Sequence, residues 1–222
     1  MSLYFIIFGT LIGKRIGEME GYPYMEYIAP GLVMMSVITN SYGNVVGSFF
    51  NAKIQGHIEE LLVSPLSEVS IVIGYLAGGI IRGLAVGTVV TFIALFFTQI
   101  NIKYPLMTFF VVIMTAGVFS LAGLINAIFA RKFDDIAVIP SFILAPLTYL
   151  GGVFYTVSLL PEFWQTISRL NPILYMINSM RYSVIGISDV SIQNALMMIV
   201  VFFIILFSIA VILLRKGIGI RQ

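Results

Sequence analysis

The stretch from Asn51 to Leu66 reads NAKIQGHIEELLVSPL and lies between two strongly apolar runs. Its apolar residues recur at i, i+4, i+7 and i+8, at Ile54, Ile58, Leu61 and Leu62. Its polar residues take the other faces, at Lys53, His57, Glu59 and Glu60. This periodicity predicts a short amphipathic helix over 51–66, which Pro65 ends because proline lacks the N–H that continues a helix. Such a helix either lies flat on the lipid or offers its apolar stripe to a partner at the membrane surface.

The composition is that of an integral membrane protein. Apolar residues make up 59% of the 222 residues and charged residues only 10%, against roughly 25% charged in soluble domains. Without cysteine the chain has neither disulfides nor cysteine metal ligands. Nucleic-acid binding would need a basic patch, which a net charge of +2 spread along the chain does not provide.

The apolar stretches predict an all-α polytopic membrane protein that forms a single transmembrane domain over 1–222. We expect six transmembrane helices, the first of them truncated, at 1–13, 28–50, 69–98, 105–130, 136–159 and 192–214. Because the first stretch has about half the length of a full span, we expect the native chain to start upstream. Acidic and hydroxyl residues before the last two spans read as helix caps, at Asp134, Asp135, Asp189 and Ser191.

The second span carries polar residues that include Asn40, Tyr42 and Asn44. An unpaired polar group is costly in hydrocarbon, so these side chains are expected to face other helices or a cavity. Two interpretations remain open, namely hydrogen bonds between helices and the lining of a substrate route.

The third span combines a row of glycines with a charge. Gly79, Gly83 and Gly87 recur every fourth residue, which favours close approach of another helix. Arg82 lies in the same segment and requires a carboxylate, a carbonyl cluster or water nearby. Its role is either structural pairing or a part in gating or substrate contact.

The segment 161–186 contains two helices too short to cross a bilayer. Pro161 opens the first, Asn171 and Pro172 separate them, and the second ends near Gly186. This pattern predicts a re-entrant hairpin, buried in protein or facing a cavity, before the last span.

Two motifs together resemble the permease subunits of type-2 ATP-binding-cassette exporters, most closely their multidrug-like branch. The first comprises Gly151, Gly152, Val153, Phe154, Pro161, Asn171, Pro172, Tyr175, Arg181 and Tyr182. The second, KIQGHIEELLVSPLS, is similar to the family's cytoplasmic coupling helix, with Gly56, Glu59, Leu61, Leu62, Ser64 and Pro65 at matching positions. The family commonly has a complete first span, whereas we expect the first span of this sequence to be truncated.

The resemblance implies an export function and a set of partners. It implies a multi-pass protein of the inner (cytoplasmic) membrane of a bacterium or archaeon, a second permease copy, surrounding lipid, and a cytoplasmic ATP-binding subunit that holds ATP and Mg. Lys and Arg number six on one side and five on the other, so orientation follows from the resemblance, with the 51–66 helix inside and the hairpin outside. The chain itself has no phosphate-binding loop, so we expect neither enzymatic activity nor a cofactor of its own.

Two sets of site residues follow from the motifs and the resemblance. Contact with the ATP-binding subunit is expected at Ile54, Gly56, His57, Ile58, Glu59, Glu60, Leu61 and Leu62. A translocation path or gate is expected at Asn40, Tyr42, Asn44, Arg82, Phe154, Asn171, Pro172 and Arg181.

The expected substrate is a lipophilic drug-like molecule or a lipid, with a polysaccharide or glycolipid as the alternative within the same family. An ion-coupled carrier is a less favoured reading, because the carboxylates lie near the span ends. A non-transporting membrane scaffold is the remaining one.

Overall fold

The computed structural model describes the backbone of residues 2–219 and the side chains of these residues except 2, 10, 14, 59, 62 and 63. The described chain is all-α apart from a small antiparallel hairpin of Glu18–Met19 with Tyr22–Pro23. The first helix, α1, runs through the α-helical Ser2–Tyr4, the π-helical Phe5–Ile12 and the α-helical Gly13–Ile16.

Eight further helices follow along the chain. They are α2 (Tyr24–Ile54), α3 (His57–Val63), α4 (Glu68–Leu95), α5 (Pro105–Phe129), α6 (Phe133–Leu150, with a π-helical turn at Pro140–Leu144), α7 (Glu162–Leu170), α8 (Pro172–Ile185) and α9 (Ile192–Lys216). By length and composition α4, α5, α6 and α9 suffice to cross a membrane. At 31 residues, α2 is the longest helix, and its polar residues lower its hydropathy. The number of six crossings stays a prediction.

Two helices differ most from the bounds predicted from the sequence. The amphipathic helix occupies 57–63 rather than 51–66, because α2 continues to Ile54 and the chain turns at Gly56, whose φ of +79° suits glycine. The helix predicted over 136–159 begins at Phe133 and ends at Leu150. A loop and the 3₁₀ turn Val157–Leu159 take the rest of that range.

The expected caps before α6 and α9 behave differently. The carboxylate of Asp135 accepts hydrogen bonds from the backbone N–H groups of Arg131 and Lys132, at 2.9 and 3.1 Å, which confirms it as a cap of α6. Asp134 instead lies 3.9 Å from the Lys132 ammonium. Among the described residues, neither Asp189 nor Ser191 caps α9 with its side chain, so that prediction was wrong.

The glycine row of α4 forms the central helix contact, as its spacing predicted. Gly79, Gly83 and Gly87 are buried where α4 packs against both α2 and α5. A Cβ at Gly79 would collide with Ser120 Oγ of α5 and lie 2.7 Å from Val45 Cγ2 of α2. The missing side chains therefore let the backbone of α4 approach both neighbours.

We predict that Gly79→Ala destabilises the protein by about 1–3 kcal/mol, because the new methyl group overpacks this contact. Gly74→Ala in the same helix is the matched control, since a Cβ there has no atom within 4 Å among the described residues. Thermal unfolding of the detergent-purified variants measures the difference. Equal melting temperatures would contradict the packing assigned to the glycine row.

Candidate functional site

The short helix α3 is anchored by one face and exposed on the other. Ile58 is only 3% exposed and belongs to the protein's own hydrophobic core, and Leu61 packs against that core. On the other side of α3, His57 and Glu60 are exposed, as is Ile54 at the end of α2. The expectation that the apolar stripe faces a partner was therefore wrong for Ile58, which faces inward. The side chains of Glu59 and Leu62 lie outside the described residues.

Lys53 ties the end of α2 to the end of α5. Its ammonium donates hydrogen bonds to the carbonyl oxygens of Ile128 and Ala130, at 2.6 and 2.9 Å. A cation at these carbonyls satisfies acceptors that a helix C-terminus leaves free. Burial lowers the pKa of Lys53, and the positive charge of Arg131 lowers it further. No local pattern indicates this contact, because the partners lie 75 and 77 residues further along the chain.

A polar groove of about 410 Å³ runs along α2 and α4. Its lining comprises Thr39, Asn40, Gly43, Asn44, Gly47, Ser48 and Asn51 of α2, and Arg82 of α4. The structure thus brings together Asn40, Asn44 and Arg82, three of the residues expected on the translocation path. The lining residues contributed by α2 share one face of that helix because they recur at intervals of three and four.

Tyr42 does not line this groove. It is 2% exposed, and its hydroxyl accepts a hydrogen bond of 2.7 Å from the amide of Asn126 in α5. Both interpretations of the polar residues in α2, hydrogen bonds between helices and the lining of a route, therefore apply to different faces of the helix. Tyr42 joins two helices, while Asn40 and Asn44 face the groove.

The remaining four expected path residues lie at the hairpin rather than in the groove. Phe154 stacks on Phe8 of α1, with ring centroids 4.3 Å apart. Asn171 caps α8 by accepting from the Ile173 N–H at 3.0 Å, and its amide donates to the Leu147 carbonyl of α6 at 2.6 Å. Pro172 is the first residue of α8, where proline suits a helix.

Arg181 is the buried centre of the hairpin region. Its guanidinium is fully buried, donates to the carbonyl oxygens of Gly152 at 2.6 Å and Tyr27 at 3.3 Å, and lies 4.0 Å above the Tyr27 ring. The carboxylate of Asp189 lies 3.8 Å away. These contacts tie α8 to the start of α2 and to the loop after α6, so Arg181 holds the hairpin in place and is not exposed to a passing substrate.

Asp189 is thus a counter-ion rather than a helix cap. Its carboxylate also accepts hydrogen bonds from Thr156 Oγ1 at 3.0 Å and from the Val157 N–H at 3.3 Å. An acidic residue shortly before a helix is a common cap signal, so the position of Asp189 in the sequence led to the wrong prediction that it caps α9.

Comparison with known proteins supplies the family. The model of the ABC-2 type transporter family matches residues 1–185. The chain belongs to the ABC-2 type transporter family. It is a permease subunit and a multi-pass protein of the inner membrane.

Relatives of this permease include transport and nodulation proteins. It is 53% identical to the inner membrane transport permease YadH of Escherichia coli over 222 residues, which cover 100% of this chain and 87% of that protein. It is 24% identical to Nodulation protein J of Rhizobium leguminosarum bv. trifolii over 220 residues, 96% of this chain and 82% of that protein. Nodulation protein J of Sinorhizobium fredii is 26% identical over 181 residues, 81% of this chain and 68% of that protein.

We predict that Lys53→Met in the permease frees the end of α2, and α3 after it, from α5, because two part-buried hydrogen bonds to carbonyl oxygens are lost at a cost of about 1–3 kcal/mol. Faster amide hydrogen exchange across 54–63 is the expected result. The control is Lys132→Met, whose side chain is 70% exposed. Unchanged exchange in the Lys53 variant would show that the contact does not hold α3.

We predict that Arg181→Met lowers the free energy of unfolding by about 3–5 kcal/mol, because it leaves two buried carbonyl oxygens without their donor and the Asp189 carboxylate, whose side chain is 13% exposed, without its counter-charge. Arg169→Met, at an exposed arginine of α7, serves as the control and should change little. Thermal unfolding in detergent measures both. Equal melting temperatures of the two variants would show that Arg181 does not hold the hairpin in place.

Proposed function

We propose that this permease is the membrane subunit of an exporter driven by a separate cytoplasmic ATP-binding subunit, which holds ATP and Mg. The observation that carries this proposal is the geometry of α3. It is fixed to the membrane domain through Ile58 and presents an exposed face to one side. A helix fixed in this way transmits the displacement of a docked partner to the membrane domain, whereas a loosely attached helix would move without displacing the domain.

The displacement of α3 would reach the groove through α2. Displacement of α3 moves the end of α2, and the contact of Lys53 with Ile128 and Ala130 carries α5 along with it. Because α2 also contributes most of the groove lining, closure of the ATP-binding subunit changes the shape of the groove. This route links ATP hydrolysis to the candidate path without any chemistry in the permease itself.

A second copy of the chain completes the proposed assembly. The groove exposes amides and a guanidinium on the surface of one protomer. Such a surface is costly against lipid tails and is stable only when protein or water covers it. We infer a homodimer in which this face lines a shared, partly hydrated path.

The proposed substrate is a lipid-like or drug-like amphiphile. The groove supplies hydrogen-bonding groups for a polar part, and the surrounding helix surfaces are apolar. The three asparagines Asn40, Asn44 and Asn51 also suit hydroxyl-rich headgroups, which favours a glycolipid as the second candidate.

The experiment uses the permease co-expressed with its ATP-binding subunit and reconstituted in liposomes. We predict that the double variant His57→Ala/Glu60→Ala loses co-purification of the ATP-binding subunit and at least about tenfold of the substrate-stimulated ATP hydrolysis, as expected when central interface contacts are removed. Membrane insertion should stay normal, because both side chains are exposed.

The control is Glu162→Ala/Arg169→Ala, which removes two exposed charges from α7. It should leave both readouts unchanged. Full association and stimulated hydrolysis in the His57/Glu60 variant would reject α3 as the docking element.

A further inference from the structure

Arg82 lies too deep in the membrane to reach lipid headgroups. It is 14 residues from Glu68 and 13 from Leu95, the two ends of α4, which places it about 20 Å from either end at a rise of about 1.5 Å per residue. With a hydrocarbon core about 30 Å thick, the nearest headgroup region is about 15 Å away. An arginine side chain covers about half that distance, so ordinary snorkelling does not hydrate this charge.

The groove provides no counter-charge for Arg82. Its other lining residues are asparagine, serine, threonine and glycine, all neutral. Both ion pairs found in the described part of the chain involve other residues. The contrast with Arg181 is direct, since that guanidinium is buried against two carbonyls and a carboxylate.

Several donors in the groove point to a ligand. Thr39 and Asn40 donate to carbonyls of their own helix. Within the described structure, the side chains of Asn44, Ser48 and Asn51 have no hydrogen-bond partner. They are donors that an acceptor entering the groove can use.

The glycines of the groove leave space for such a ligand. A Cβ at Gly43 or Gly47 would have no atom within 4 Å in the described part of the chain. These two glycines therefore do not serve close helix packing, unlike Gly79 of α4. They widen the groove between the polar side chains and Arg82.

We propose that this groove binds the anionic headgroup of a lipid-like substrate, with Arg82 as its counter-charge and Asn44, Ser48 and Asn51 as neutral donors. This inference rests on the proposed function and specifies the substrate class as anionic amphiphiles. A guanidinium binds phosphate or carboxylate oxygens through paired N–H groups, and this interaction strengthens where water is scarce. A headgroup that also carries a cation, such as phosphocholine, gains less.

The test measures binding to the purified permease in nanodiscs of neutral lipid. The probes are phosphatidic acid and phosphatidylcholine that carry the same fluorescent acyl chain. We expect about a tenfold lower Kd for phosphatidic acid, the factor that one charged hydrogen-bonded contact provides. Arg82→Gln should remove this preference and Arg82→Lys should retain part of it. Asn44→Leu should weaken binding of both lipids while keeping the preference, because Arg82 is intact.

Arg215→Gln is the matched control, because this exposed arginine at the end of α9 attracts anionic lipid only at the membrane surface. It should keep the wild-type preference. The same preference in Arg82→Gln would overturn the proposal. Dissociation of the dimer by Arg82→Gln would overturn it as well, because Arg82 would then bind the second copy instead of lining the path between the two copies.

Inorganic phosphate distinguishes a headgroup from a free anion. If inorganic phosphate at millimolar concentration fails to displace phosphatidic acid, the ligand is the lipid headgroup. Full displacement at that concentration would overturn this assignment. No ATP-binding subunit takes part in this measurement. Failure of the headgroup site and failure of the ATP-driven mechanism are therefore separate results.

Discussion

The close contact of the α4 backbone with α2 and α5 is the constraint on which the remaining features depend. Association of helices in lipid gains little from the hydrophobic effect, so it relies on packing at short distance. Gly79, Gly83 and Gly87 provide that distance, and each is buried. The same approach sets the adjacent face of α4, with Arg82, beside the polar face of α2. Loss of the contact would separate the two halves of the groove.

Two further ties fix the ends of this helical unit. At one end Lys53 and Ile58 hold α3 against the domain, and at the other Arg181 holds the hairpin against the start of α2. Both ties join sequence-distant segments through groups that would be costly to bury unpaired. These ties connect α2 to α5 at one end and to the hairpin at the other, so a displacement of α3 is passed on to α2 and α5.

The sequence predicted features whose cause is local. The spacing of Gly79, Gly83 and Gly87 was sufficient to predict a helix contact, because a row of glycines on one face of a membrane helix lets another helix backbone approach closely. The cap at Asp135 followed likewise from an acidic residue at the start of a helix, and the structure confirms it with two backbone hydrogen bonds.

Features set by tertiary partners were not predictable from the sequence. An apolar stripe fits its own protein as well as a partner, so amphipathicity alone does not decide the direction of Ile58. The partners of Lys53 are backbone carbonyls, which leave no trace in the side-chain pattern. Asp189 occupies a cap position in sequence, yet its carboxylate lies 3.8 Å from the buried Arg181 guanidinium and pairs with it instead.

If force enters this permease at α3 from the ATP-binding subunit, α3 lies on the cytoplasmic side of the membrane, and labelling of single cysteines measures that location. The chain contains no cysteine, so single cysteines can be introduced into the wild-type sequence. Gln55→Cys and Thr166→Cys replace exposed residues beside α3 and in α7. With a membrane-impermeant maleimide on intact cells, we expect labelling at position 166 alone, and labelling at position 55 only after permeabilisation. Labelling of position 55 in intact cells would contradict it.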